Sequence, residues 1–212
     1  MQLRVDRIKK SYSEKLVFEN VSFNVKNGEC FVVIGQNGAG KSTLLQCLSQ
    51  SLQPDDGLIY FDENVIDQQQ NSNLISCMYG QETSYLPHLN ARDNVLFFLG
   101  LRGYSSKEAL IALENFSSFE IINNDLDLPL ADFSRGGLQL FFILRCLIDF
   151  KAQIYVLDEP LTFLDNEKVK AVCDLLDNTM RAGKAVIIAI QENQTHLFQG
   201  LTHRLYRLEK TK

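Results

Sequence analysis

No apolar run in this chain is long enough to cross a membrane. The nearest, residues 140–148, is interrupted by Arg145, whereas a spanning helix needs roughly 20 predominantly apolar residues. There is no excess of positive charge either. The 21 Lys and Arg residues are outnumbered by 26 Asp and Glu, a formal net charge of −5. That balance argues against a general electrostatic hold on nucleic acid or on an anionic membrane surface. No C-x-x-C pair occurs, and the five cysteines, Cys30, Cys47, Cys77, Cys146 and Cys173, lie far apart, most of them in apolar runs. Buried free thiols in a reducing cytoplasm are expected, rather than a disulfide or zinc framework. The opening residues Met1-Gln2-Leu3-Arg4-Val5-Asp6 alternate and carry charge, unlike a signal peptide. Internal repeats and low-complexity linkers are missing too, apart from the short polar Gln68-Gln69-Gln70. What remains is a cytoplasmic globular chain of ordinary composition, 45% hydrophobic and 22% charged over 212 residues. That length suits one domain with room for an inserted subdomain. Any service to a membrane would run through a partner.

The strongest positive signal is Gly35-Gln36-Asn37-Gly38-Ala39-Gly40-Lys41-Ser42-Thr43, which has the spacing of a phosphate-binding loop. Glycines let successive backbone N–H groups turn inward and form an anion nest without Cβ clashes. Lys41 can reach terminal phosphates as a point charge, and the Ser42 hydroxyl can join the shell of a Mg²⁺ ion. The apolar run Cys30-Phe31-Val32-Val33-Ile34 before the loop reads as a buried strand, and residues 42–48 after it read as a helix. That helix would aim its positive dipole end at the phosphates. A glycine-rich turn matching by accident would not need such flanks. The chain is expected to bind a nucleotide.

Alternation over residues 3–8 and 17–25 predicts an antiparallel edge sheet, with Asn27-Gly28 turning into the next strand. Residues 57–61 and 74–79 read as further short strands. Between residues 81 and 133 the character changes: residues 94–101 and 107–116 carry helical apolar spacing, with Ser105 as an N-cap candidate. A helical insertion of residues 81–133 is expected, set into a core of residues 1–80 and 134–212. A very apolar helix over 138–148 then returns to that core. Residues 154–157 and 185–190 read as buried strands around an amphipathic helix over 166–181, with a short helix and a closing strand at 204–208 after them. Such alternation implies a P-loop α/β core with a mostly parallel sheet and its ligand site at the carboxyl ends of the strands.

Ile154-Tyr155-Val156-Leu157-Asp158-Glu159-Pro160 is the second strong signal. An apolar strand ends in two carboxylates, which places them at the same sheet edge as the phosphate loop. Asp158 is suited to hold Mg²⁺ through its water shell, and Glu159 to orient or deprotonate an attacking water.

With these motifs in this order, the chain from about residue 3 to residue 208 resembles the nucleotide-binding domain of ATP-binding cassette (ABC) ATPases. The resemblance implies that Tyr12 stacks on adenine and that Gln81 touches Mg²⁺ and the attacking water. It implies that Phe133-Ser134-Arg135-Gly136-Gly137 stands for the family's Leu-Ser-Gly-Gly-Gln signature, and that Leu164-Asp165 forms the loop crossing a dimer interface. Ser134 and Gly136 of one subunit would then close over ATP held by residues 35–43 of another, including Asn37, Gly38, Ala39, Gly40 and Thr43. Function would need a second ABC subunit, identical or not, and an integral membrane permease. A soluble ATP-gated clamp without transport is the alternative, and a P-loop kinase a third reading that the signature region and Gln81 oppose. Residues 128–134 are also similar to the approach to the signature in the cytochrome c maturation haem-exporter subunit.

Three positions depart from the family pattern. Arg135 replaces the first signature glycine and Gly137 its glutamine. The guanidinium would either add charge to the partner's γ-phosphate or point to solvent, leaving the backbone usable. Gln191 follows the strand where the family has a histidine on the γ-phosphate. Glutamine donates a hydrogen bond but does not titrate near neutral pH. His196 could replace that histidine only if the strand ended later. Leu140 stands where the family has an arginine, in a helix read as core. ATP binding of ordinary strength with slow turnover is the expectation.

Overall fold

The computed structural model describes residues 2–66, 73–79, 85–117, 126–198 and 200–210. Two sheets share the apolar core. β1 (Gln2–Tyr12) and β2 (Lys15–Lys26) form a long hairpin, and β1 also pairs with β4 (Asp56–Phe61), which pairs with the short β5 (Asn64–Val65). This sheet is antiparallel, in the order β2-β1-β4-β5. The second sheet is parallel, in the order β6-β7-β8-β3-β9, built from β3 (Cys30–Ile34), β6 (Ile75–Met78), β7 (Ile154–Asp158), β8 (Ala185–Ile190) and β9 (His203–Arg207).

Strand alternation decides how the core divides. Cys30, Val32 and Ile34 of β3 face one way, among the helices α2 (Ala91–Leu101), α3 (Ser106–Ser117), α4 (Arg135–Leu147) and α5 (Asn166–Arg181). Phe31 and Val33 face the other way, against α1 (Lys41–Leu48) and the antiparallel sheet. A parallel sheet covered on both faces needs near-continuous apolar strands, and all residues of β3 and β8 are buried.

The hairpin strands run longer than the alternation suggested, because pairing continues to a turn at Ser13, whose φ is 53°. α2 begins at Ala91 rather than 94, since the Asn90 side chain accepts from the Asp93 N–H at 2.7 Å. Ser105 caps α3 as expected, and the Glu108 carboxylate reaches back to the Ser105 N–H at 2.7 Å, a capping box. α4 begins three residues earlier than 138. Ser134 Oγ accepts from the Gly137 N–H at 3.0 Å, so the two glycines form the first turn of a helix rather than a loop. The short helix before β9 is a 3₁₀ segment, Glu192–Phe198, and β9 itself begins one residue early. Cys30, Cys47 and Cys146 are buried, and burial pushes the thiols of Cys47 to about 11 and Cys30 to about 12. Among the described residues no helix is long and apolar enough to cross a membrane.

Candidate nucleotide site

Parallel register carries the site residues to one edge. Ile34 pairs with Ile190, Asp158 with Ala189, and Met78 with Leu157. The strands therefore end in step, and Gly35, Asp158, Glu159 and Gln191 follow or close them side by side. Gln81 comes three residues after β6 and lies outside the described residues.

In the loop, two glycines are required for different reasons. A Cβ on Gly35 would sit 2.6 Å from the Leu208 carbonyl, so the chain passes too close to the C-terminal segment for any side chain. Gly40 has φ 94°, and a Cβ there would meet Val17 Cγ1 at 2.4 Å, which both conformation and space forbid. Gly40 caps α1 without a side-chain hydrogen bond, so no side chain competes for the helix's first N–H groups. Lys41 is buried, and its Nζ donates to the carbonyls of Gly35 (2.9 Å) and Gln36 (3.2 Å). The ammonium is thereby folded back under the loop it would serve.

Asp158 is half-buried at the end of β7, and its Oδ1 is buried with no hydrogen-bond partner. Burial holds its carboxyl above the ordinary range, the Ser42 hydroxyl works against that rise, the Glu159 charge adds to it, and Lys41 opposes it. A buried, unsatisfied carboxylate oxygen beside a hydroxyl fits a hard divalent cation such as Mg²⁺. Glu159 has φ 46°, and its N–H donates to the Ala189 carbonyl at 2.9 Å. Both of its carboxylate oxygens receive Gln191 Nε2, at 3.3 and 3.4 Å.

A cavity of about 370 Å³ opens on this edge, lined among others by Tyr12, Lys15, Asn37, Lys41, Glu159 and Lys210. Tyr12 is 49% exposed, which leaves a ring face open for stacking. Lys15 and Lys210 were not singled out from the sequence, where isolated lysines carry no pattern. A larger cleft of about 720 Å³ lies at the opposite, amino-terminal edge of the parallel sheet. Its ion pairs, Arg204 with Glu29 and Arg181 with Asp177, close on themselves, and strand amino ends are not where open α/β sheets bind ligands.

The signature residues sit at the start of α4. Ser134 is spent as the cap, and Gly136 packs so tightly that a Cβ would be 2.7 Å from the Phe163 carbonyl. Arg135 is exposed, with its guanidinium carbon 5.8 Å from the centroid of the Phe163 ring. Phe163 and the buried Gln139 were missed by the sequence reading. Neither stands out by type, and only the backbone path brings them to α4. His196 hydrogen-bonds within its own 3₁₀ segment, to Asn193 O at 2.8 Å. β8 ends at Ile190, so Gln191 holds the position after the strand. Leu140 is buried in the core, in keeping with the core reading of α4.

A sequence profile described as ABC transporter matches residues 18–162. The chain belongs to this family. The Nod factor export ATP-binding protein I of Sinorhizobium fredii is 29% identical over 187 residues, covering 88% of this chain and 54% of that protein. Its Burkholderia thailandensis counterpart is 29% identical, covering 96% and 66%. The Fe(3+) ions import ATP-binding protein FbpC of Fusobacterium nucleatum is 30% identical, covering 78% and 44%. The cassette thus spans between 44% and 66% of the length of these three relatives. Among solved structures, a nucleotide-free ATP-binding cassette from an ABC transporter has a TM-score of 0.83 at 20% identity, covering 100% of this chain and 90% of that one. A dimeric bacterial ABC transporter cassette has a TM-score of 0.82 at 24% identity, covering 98% and 94%. The fold is the ABC cassette fold: a parallel P-loop core, an antiparallel sheet and added helices.

Proposed function

We propose that this cassette binds ATP with Mg²⁺ and hydrolyses it slowly, in a pair with a second ABC subunit, to energise transport by an integral membrane permease. The observation that carries the reading is the convergence of Lys41, Ser42, Asp158, Glu159 and Gln191 at one edge of the parallel sheet. The names of the relatives support the transport part, and in this reading the chain sits peripherally on the inner face of a membrane through its partner.

In this reading Tyr12 stacks on the adenine, while the amides of residues 37–43 and Lys41 grip the phosphates. Ser42 and Asp158 would hold the cation, which when bound supplies charge neutralisation on the phosphate oxygens. Gln81 would reach it and the attacking water. Glu159 orients that water and takes its proton. Gln191 donates toward Glu159 and replaces a residue that could carry its own charge, which leaves binding intact and slows the chemistry. Ser134 and Gly136 of the partner complete the site, using the polarity of a helix N-terminus.

Glu159→Gln tests this directly. It keeps the shape and removes the base, so turnover falls by about two orders of magnitude or more and ATP accumulates a dimer. A monomer by light scattering in saturating ATP and Mg²⁺ contradicts the composite site.

A further inference from the structure

The loop after Glu159 is held from outside by the signature helix. Gln139 is buried, and its Nε2 donates to the backbone carbonyls of Glu159 at 3.0 Å and Pro160 at 2.9 Å. Gly136, three residues earlier and so on the same face of α4, packs against the far end of the loop at the Phe163 carbonyl. Between these grips the backbone is unusual: Glu159 and Phe163 have φ values of 46° and 66°, a left-handed region that side-chain-bearing residues rarely occupy. Such conformations persist only where the surroundings over-determine them. The loop's own polar groups contribute little, with Thr162 N–H to Glu159 O at 3.3 Å and Thr162 Oγ1 buried without a partner.

We infer that Gln139 is a positioning residue for ATP hydrolysis: with Gly136 it clamps residues 159–163, so that the signature helix sets where the Glu159 carboxylate points. This rests on the reading of Glu159 as the group that handles the attacking water, and it extends that reading. The helix that offers Ser134 and Gly136 to a partner's nucleotide would also hold the glutamate of its own site.

Gln139→Met keeps length and burial while removing both donors, and Gly136→Ala pushes on the loop from its other end. Amide hydrogen exchange without nucleotide should quicken in residues 159–164 by about tenfold in either variant, with the body of α4 unchanged. In Gln139→Met, kcat should fall about tenfold while KM for ATP stays within about twofold, the pattern of lost transition-state alignment. Wild-type exchange rates in the loop overturn the clamp. Faster loop exchange with unaltered kcat overturns the positioning role, as does a loss of kcat that tracks a rise in KM and a lower melting temperature. A wild-type protein with no turnover at all would instead remove the hydrolytic reading, while the exchange rates still decide the clamp.

Discussion

Residues 35–43 and residues 133–137 would both meet phosphate, yet they are built in different ways. The first loop is closed by its own chain: Gly35 against Leu208, Gly40 against Val17, and Lys41 bonded to two loop carbonyls. The second is a helix start whose cap is already satisfied and whose neighbour is another functional loop, through Arg135 and Gly136 against Phe163. In the proposed reading the first region is a preformed anion grip that local chemistry specifies almost completely. The second depends on what packs beside it and, in the proposed reading, on another subunit. In the proposed reading, a chain built this way keeps nucleotide binding under changes at the signature, and lets the hydrolytic geometry drift.

The largest effect that sharpens this contrast lies in the first loop. Lys41→Ala should weaken ATP binding by about two orders of magnitude, as expected from losing the charge that would turn from the Gly35 and Gln36 carbonyls to the phosphates, with equilibrium titration as the check. Affinity within about threefold of wild type would show that the amide nest alone suffices. Asp158→Asn comes next, and it separates function from stability. The Asp158 carboxyl is raised by burial. Its charged form therefore costs stability: the cost is absent below the ordinary carboxylate range, grows as pH rises from that range to the raised pKa, and is complete above it. The neutral variant should melt about 2–4 °C higher at pH 7, as about 1 kcal/mol does in a domain of this size, while losing turnover. That gain should vanish at acid pH, and a lower melting temperature at pH 7 would reverse the sign. The smallest effect belongs to Arg135→Gly, which removes one exposed cation–ring contact worth about 0.5 kcal/mol. Calorimetry should show a melting shift of under about 2 °C, and ATP affinity should stay unchanged.

Legibility in the sequence followed the same divide. Strands β3, β7 and β8 were evident because a twice-covered parallel strand must be continuously apolar, and the phosphate loop because its glycines answer to local sterics. The true start of α4 was not evident. Ser134 reads as a cap only once the following glycines are seen to be helical, and glycine's low helix propensity argues the other way. The hold of Gln139 on the Glu159 loop was invisible, since a glutamine in an apolar helix does not announce its partner 20 residues on. The placement of Gln191 was readable from where the strand ends. Its contact with Glu159 was not, because that depends on the register of β8 against β7.

The most direct test of an intact grip beside altered chemistry is to measure ATP affinity and steady-state turnover together for the wild type and Gln191→His. Affinity should agree within about twofold while kcat rises about tenfold in the variant, the scale of one well-placed proton-handling group. Unchanged or lower kcat at equal affinity would contradict the account, in which Gln191 slows the chemistry.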